Sequence, residues 1–276
     1  MNVDFFGEGW REILQQNGLD SFDALWNLDV EWFEAPNERR GGWSGVARIQ
    51  LSAPNGKEIG LFLKRQQNHM CRSPLHPVRG ILTFAREFKN ICHFRQIGVP
   101  ALEPVFFGQR QANGDHQGIL VTRELEGFSP MDKPVFLPGR QGLLSTVKAR
   151  RALFAKLAEL LRRLHASRRQ HSCLYFKHIF VKPVGEAAFE VRLIDLEKAR
   201  WQPLKQRAAF RDLYTLSRHA DNWPLTDYMR FFLIYRQERH LSPESKRLWR
   251  AIAAKHAAKG KRKRDKSSTT CGAAGG

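Results

Sequence analysis

The sequence has few cysteines and no long apolar run. Its four cysteines, Cys71, Cys92, Cys173 and Cys271, are far apart and form no C-x-x-C pair, which argues against a disulfide framework and against the usual zinc or dithiol motifs. No stretch approaches the roughly 18 apolar residues of a membrane-spanning helix. The first residues, MNVDFFGEGWREIL, carry acids where a signal peptide has a basic start and an apolar run. We therefore expect a protein of the reducing cytoplasm.

Acidic residues are also scarce, since 27 Asp and Glu stand against 46 Lys and Arg, for a formal net charge of +19. Such an excess predicts an anionic partner: nucleotide, nucleic acid, phospholipid head group or phosphorylated glycolipid. Part of it lies in residues 255–276, which have no apolar period and are expected to be disordered. No zinc-finger, RNA-recognition or helix-turn-helix motif accompanies the charge, so a specific nucleic-acid partner is not expected.

The order of the patterns predicts an α+β protein. Alternating segments at 43–51 and 59–64 flank an Asn55-Gly56 turn, which is typical of a β-hairpin. A basic, proline-broken loop (65–80) and a helix over about 83–97 are predicted next, followed by two more strands. The stretch TVKARRALFAKLAELLRRLHASRR then aligns its leucines on one helical face, and helices dominate the remainder. We predict a bilobal fold with a helical extension (1–38), a small strand-rich lobe with one helix (39–126), a larger helical lobe (127–256) and a basic disordered tail (257–276).

A strand lysine and a helix glutamate are the first candidates for chemistry. Lys64 ends a strand with apolar neighbours, so its ammonium group should lie at the edge of a buried region and need an anionic partner. Glu87 lies on or beside the apolar stripe of the predicted helix, where an unpaired carboxylate would be costly. An ion pair between them is one interpretation, and two solvated surface charges are the other.

Glycines and two aspartates give weaker signals. Gly41, Gly42 and Gly45 precede and enter the first strand of the hairpin, where bare N–H groups can approach a phosphate, although a flexible turn explains them too and no Walker motif occurs. Asp195 follows an apolar strand, where a carboxylate can coordinate Mg²⁺ or simply begin a turn. Asp212 stands among apolar helix residues and is expected to be a buried structural acceptor.

The segment RQHSCLYFKHIF, residues 169–180, gathers His171, Cys173, Lys177 and His178. A zinc site built from the two histidines and the cysteine lacks a recognisable fourth ligand. A cysteine nucleophile with a histidine base lacks an oxyanion-hole pattern. Histidines packed in a core beside strands are the third interpretation that the residues allow.

In their order along the chain, these features resemble the protein-kinase-like fold, and most closely the lipopolysaccharide core kinase family of InaA and WaaP type. The resemblance rests on FLKRQ, REFKNICHFRQIGVPALEPV, H-x-C-L-Y-x-K-H-I-F and LIDLEKAR, and it covers about residues 40–235. It implies ATP and Mg²⁺ as cofactors and a sugar of the lipopolysaccharide inner core as acceptor. It also implies a place at the cytoplasmic face of the inner membrane, where the basic insert 65–80 and the tail would meet anionic lipid or the glycolipid.

The resemblance assigns roles to individual residues. Lys64 matches the lysine that holds the α- and β-phosphates, Glu87 the acid that orients it, and Asp195 the metal-binding aspartate of D-F-G. The segment 122–127 falls where the hinge binds adenine through backbone groups. The residues for which a role in ATP binding is thereby implied are Gly41, Gly42, Gly45, Lys64, Glu87 and Glu124.

The catalytic loop is where this chain departs from the pattern H-R-D-x-x-x-x-N. Aligned from His171, the loop has Cys173 at the aspartate position and His178 at the metal-binding asparagine position. A thiol lacks the charge of a carboxylate, and imidazole is an uncommon ligand for Mg²⁺. An active kinase would then use Lys177 or His178 to assist, or Cys173 as a thiolate. The alternative is a catalytically impaired pseudokinase that acts as a stress-responsive binding or scaffolding protein.

Overall fold

The chain divides into two compact units. A computed structural model describes residues 4–39, 41–73, 76–137, 142–218 and 223–271, with the backbone alone for 259–271. The first unit comprises Met1–Phe128 with Arg192–Ala199, and the second comprises Ser129–Val191 with Arg200–Gly276.

The first unit is built on an antiparallel sheet. Its strands are β1 (Phe5–Phe6), β2 (Trp32–Arg39), β3 (Gly42–Ser52), β4 (Glu58–Gln67), β5 (Met70–Ser73), β6 (His76–Leu82), β7 (Pro104–Ala112) and β8 (Asp115–Arg123), and its helices are α1 (Trp10–Gln16), α2 (Phe22–Asn27) and α3 (Thr83–Gln96). Six strands form the sheet in the order β1-β7-β8-β4-β3-β2, and β5 and β6 form a separate ribbon. The β3–β4 hairpin, α3 and the β7–β8 hairpin were all predicted, and they are confirmed.

Strand β4 has buried side chains on both faces of this sheet. Leu61 and Leu63 are fully buried in the core that α1 and α2 contribute to. Because side chains alternate along a strand, Lys64 and Gln66 point to the opposite face, which α3 covers. Arg65 again faces α2, where its Nη1 donates to the carbonyl oxygens of Trp26 and Leu28. The N-terminal helices therefore belong to the fold of the first unit.

Two predictions for the first unit are wrong. Residues 32–38, predicted as part of a helical extension, belong to β2, and the basic stretch predicted as a loop contains β5 and β6. The β2 pattern was hidden by Pro36, which disfavours a central strand. Strand β2 tolerates this proline because it lies at the sheet edge and its register against β3 shifts on both sides of Glu34.

The second unit is mainly helical. Its strands are β9 (Ser129–Pro130), β10 (Arg169–Gln170), β11 (Ile179–Gly185), β12 (Ala188–Leu193, ending in the first unit) and β13 (Arg200–Trp201), and its helices are α4 (Val147–Ala166), α5 (Lys205–Arg218), α6 (Leu225–Arg236) and α7 (Pro243–Cys271). Thr146 caps α4 by accepting a hydrogen bond from the Ala149 N–H, 3.1 Å away. The leucine face of α4 is buried, and this helix packs against α5 and α6.

Helix α7 extends further than the sequence suggested. Trp249 packs against Tyr228 and Phe232, and Ile252 is buried. The helix continues through Cys271, so the disorder predicted from residue 257 is wrong up to that point, while 272–276 lie outside the described residues. Once a packed segment has nucleated a helix, alanine, lysine and arginine propagate it well. Across the described ranges, neither α7 nor any other helix is long and apolar enough to cross a membrane.

Candidate functional site

Lys64 and Glu87 form a buried ion pair in the first unit. The Lys64 Nζ lies 2.7 Å from Glu87 Oε1, and the two side chains are 16% and 4% exposed. Lys64 lies within β4, between Val46 of β3 and Leu120 of β8, and not at a strand end as predicted. The ion-pair interpretation is therefore confirmed, and that of two solvated surface charges is wrong. Removing one partner of such a pair leaves the other as a buried, unpaired charge, which typically lowers the free energy of unfolding by about 3–5 kcal/mol.

A second contact joins the same two elements. The Gln66 carboxamide lies 2.6 Å from Thr83 Oγ1 at the start of α3, and both residues are buried. His69 Nδ1 lies 3.1 Å from the same hydroxyl oxygen. Because Lys64 and Gln66 share one face of β4, this strand holds the first turns of α3 at two points.

Helix α3 is also bonded to the turn that follows Asp195. Asn90, one turn after Glu87, donates from Nδ2 to the carbonyl oxygens of Leu196 and Ala199, at 2.8 and 3.0 Å. Asp195 has φ 56° and ψ 58°, a left-handed conformation that is uncommon for residues other than glycine and often marks a functional position. The sequence reasoning missed Asn90. Its signal was a polar residue three positions after Glu87 on a helix face that should be buried.

Packing requires two of the three candidate glycines. A Cβ on Gly42 would collide with the backbone of Gln67, and a Cβ on Gly45 would lie 2.6 Å from the Trp32 ring. Gly41 has a φ of 77° and open space around it, as a tight turn requires. The glycines thus allow this hairpin to form, and their contact with phosphate stays a prediction.

Glu124 has its polar groups engaged within the first unit. Its N–H donates to the Gly60 carbonyl oxygen at 2.9 Å, and its own carbonyl oxygen accepts from the Glu126 N–H at 3.1 Å. Its carboxylate accepts from Nε and Nη2 of Arg48, a contact that raises the pKa of Arg48. Adenine binding at Glu124 stays a prediction, and neighbouring backbone groups of the 122–127 segment are alternatives.

In the second unit, Asp212 anchors the segment that carries the catalytic-loop residues. Its fully buried carboxylate accepts the N–H groups of His171 and Ser172 at 2.7 and 2.9 Å, and lies 3.2 Å from His165 Nε2. His165 Nδ1 lies 2.9 Å from the Tyr235 hydroxyl oxygen. The prediction that Asp212 is a buried structural acceptor is confirmed.

The ring nitrogens of the loop histidines bond to the loop backbone. The Cys173 N–H donates to His171 Nδ1 at 3.3 Å, and His178 Nδ1 lies 2.8 Å from the Cys173 carbonyl oxygen. That carbonyl oxygen can only accept, so His178 carries a proton on Nδ1, which leaves Nε2 as the ring nitrogen able to accept one. Cys173 is 5% exposed, which disfavours a nucleophile, whereas Lys177 is exposed.

The zinc interpretation of this loop is not supported. In the ranges that the structure describes, no group of three or more histidine, cysteine or acidic residues is arranged to hold a metal ion. The described cysteines, Cys71, Cys92 and Cys173, form no disulfide bond.

The chain matches a known protein family over most of its length. The model of the lipopolysaccharide kinase (Kdo/WaaP) family matches residues 23–235, a range that includes Lys64, Glu87, Cys173 and Asp195. The chain belongs to this family. Protein InaA of Escherichia coli (strain K12) is 31% identical to this Kdo/WaaP-family chain over 211 residues, which are 76% of the chain and 92% of InaA.

A solved structure of WaaP in complex with acyl carrier protein has a similar fold. It superposes with a TM-score of 0.64 at 22% identity, covering 94% of this Kdo/WaaP-family chain and 98% of the WaaP chain. The predicted α+β protein-kinase-like fold is thus confirmed.

Proposed function

We propose that this chain is an ATP- and Mg²⁺-dependent kinase that phosphorylates a sugar hydroxyl of the lipopolysaccharide inner core. The observation that carries the proposal is the buried Lys64–Glu87 ion pair between a central strand and α3. In protein kinases the equivalent pair orients a cation toward the ATP phosphates. Membership of the Kdo/WaaP family supports the lipopolysaccharide acceptor.

On the nucleotide side, Lys64 binds the phosphates and Glu87 fixes the position of its ammonium group. The Asp195 carboxylate supplies an oxygen ligand of the kind that Mg²⁺ prefers, and Asn90 holds the turn behind it. When bound, Mg²⁺ neutralises charge on the transferring phosphoryl group. A role for His178 as a second metal ligand stays a prediction of the family resemblance.

On the acceptor side, the position of the usual carboxylate base holds Cys173. Phosphoryl transfer through a loose transition state depends mainly on positioning and charge neutralisation, so turnover without that base is slower but not abolished. His178 is the candidate for the base, in place of its predicted role as a metal ligand. Its Nδ1 is bonded to the Cys173 carbonyl oxygen, and the one remaining ring nitrogen, Nε2, cannot fill both roles at once. Lys177, which is exposed, is the other residue that the family resemblance suggests could assist transfer.

The decisive experiment is transfer of label from γ-labelled ATP to isolated core glycolipid by the purified protein. We expect Mg²⁺-dependent labelling that Asp195→Ala abolishes. Glu190→Ala, which removes an exposed acid from β12, is the matched control and should leave labelling intact. No labelling by the wild type, or equal labelling by Asp195→Ala, would refute the proposal.

A pseudokinase that binds or scaffolds without transfer is the second candidate, and the buried Cys173 at the aspartate position favours it. Thermal unfolding with ATP and Mg²⁺ separates the candidates further, because a ligand at 100 times its Kd stabilises a protein by about 2.7 kcal/mol. Stabilisation without transfer indicates a nucleotide-binding scaffold. If ATP neither stabilises the protein nor is used for transfer, the protein is a scaffold that acts without nucleotide.

A further inference from the structure

A strongly basic stretch, most of it in the second unit, has no part in the function proposed above. Between Glu197 and Asp212 the sequence has no acidic residue. The same interval has five basic residues: Lys198, Arg200, Lys205, Arg207 and Arg211. A segment whose charged side chains are all positive needs either solvent or a bound anion to offset the repulsion between them.

Three elements of the second unit bring the arginines of this stretch together. Arg200 lies on β13, which pairs with β10, and α5 packs against β10. Arg207 and Arg211 are four residues apart on α5, so they share one face of that helix. We call Arg200, Arg207 and Arg211 the arginine cluster.

Among the residues that the structure describes, no carboxylate forms an ion pair with the arginine cluster. Within the described residues, none of its guanidinium groups donates a hydrogen bond or takes part in an ion pair, in contrast to other arginines of this unit, such as Arg150 and Arg230, which both contact Asp227. Burial lowers the pKa of Arg211, and the positive charges of Arg200 and Arg207 lower it further.

The acid nearest to Arg207 and Arg211 along the chain, Asp212, already has other partners. Asp212 is fully buried, and its carboxylate already accepts the N–H groups of His171 and Ser172 and contacts His165. The same contacts fix α5 to the segment that carries the catalytic-loop residues. The arginine cluster therefore has a defined position beside that segment.

We propose that the arginine cluster binds a phosphate group already present on the acceptor glycolipid. Guanidinium groups suit this ligand because their paired N–H donors match two phosphate oxygens. The inference rests on the proposed function, since it assigns the substrate class of the same reaction. It makes an already phosphorylated glycolipid the substrate, so another phosphorylation reaction must precede this one.

The first test measures binding of isolated core glycolipid, dispersed in neutral detergent, without ATP. Arg207→Gln/Arg211→Gln should raise its Kd at least tenfold. The matched control, Arg151→Gln/Arg247→Gln, neutralises two exposed arginines on α4 and α7 of the same unit and should change Kd by less than twofold. Equal losses in both double variants would overturn the proposal. Arg207→Gln alone, at an exposed position, provides a variant whose folding is not at risk.

The second test removes the phosphate groups from the glycolipid enzymatically. Wild-type affinity should then fall to that of the Arg207→Gln/Arg211→Gln variant, whose own affinity should not fall further. Independent, additive losses would overturn the proposal. The proposal would also be overturned if the Arg207→Gln/Arg211→Gln variant lost as much affinity for phosphatidylglycerol vesicles as for the glycolipid. That result would identify the cluster as a general contact with anionic lipid.

These measurements do not depend on turnover. If phosphate-dependent binding is found but no label is transferred, the function proposed above fails and the arginine cluster remains a phosphate site. If label is transferred but binding is unchanged in the double variant, the proposed function stands and only the phosphate-binding role of the arginine cluster fails.

Discussion

The first unit around Lys64 and the second-unit segment around Cys173 bury polar groups in different ways. At Lys64 and Glu87, two charged side chains from different elements bind each other directly. In the second unit, the Asp212 carboxylate binds the backbone N–H groups of His171 and Ser172. The first arrangement depends on the identity of both side chains, whereas the second depends on one side chain, Asp212, and on the backbone of the loop.

This difference explains how the loop can hold its conformation without a carboxylate at position 173. A backbone N–H is present whatever side chain follows, so Cys173 does not disturb the bonds to Asp212. The His178 contact likewise uses the Cys173 carbonyl oxygen. By contrast, a change at Lys64 or Glu87 leaves its partner as a buried, unpaired charge.

The largest effects are expected for Lys64→Met and Glu87→Gln. Each single change should lower label transfer at least about 100-fold, as loss of a preorganised charge does in other enzymes. Each should also lower the free energy of unfolding by about 3 kcal/mol. The double variant should regain most of that stability but no activity, as measured by urea unfolding and labelled transfer. Losses of stability that simply add would mean that the two charges do not act as a pair.

Asp212→Asn tests the second unit. The amide cannot accept from both N–H groups as the carboxylate does, so we expect a loss of about 3 kcal/mol in unfolding free energy, measured in urea. The exposed Glu190→Gln variant should stay within about 0.5 kcal/mol of the wild type. A loss below about 1 kcal/mol at Asp212 would show that the loop does not depend on its carboxylate.

Asn90→Leu tests whether α3 positions Asp195. Loss of two hydrogen bonds should lower stability by about 1–2 kcal/mol. The Mg²⁺ concentration that gives half of the ATP-induced thermal stabilisation should also rise several-fold, because the turn after Asp195 is no longer held. Lys89→Ala, an exposed neighbour on α3, is the control. Loss of stability with an unchanged Mg²⁺ requirement would limit Asn90 to a structural role.

The smallest effect is expected for Cys173→Ala. If only the backbone of this residue matters, transfer should stay within about threefold of the wild type, a barrier change below about 1 kcal/mol. A 100-fold loss in the labelled-transfer assay would instead make the Cys173 thiol a catalytic group, and the contrast between the two regions would disappear.

The local sequence pattern was sufficient to predict structure where a residue's neighbours along the chain decide its conformation. The turn at Asn55-Gly56, the leucine face of α4 and the apolar setting of Asp212 all follow from periods of two or 3.6 residues and from turn chemistry. It failed where distant contacts decide. Pro36 in β2 is acceptable only because that strand lies at a sheet edge. The role of Asn90 is visible only when residues 196–199, far along the chain, supply the carbonyl groups to which it donates.

The sequence by itself determined which faces are apolar and where the charge lies, and its resemblance to kinases predicts that Cys173 stands at the position of an acid. Only the tertiary structure decided that Glu87 is the partner of Lys64, 23 residues away, and that α3 also binds the turn after Asp195. The reason is that periodicity reports which side of an element is buried but not which atom faces it. That assignment depends on strand register and helix packing, which join residues far apart along the chain.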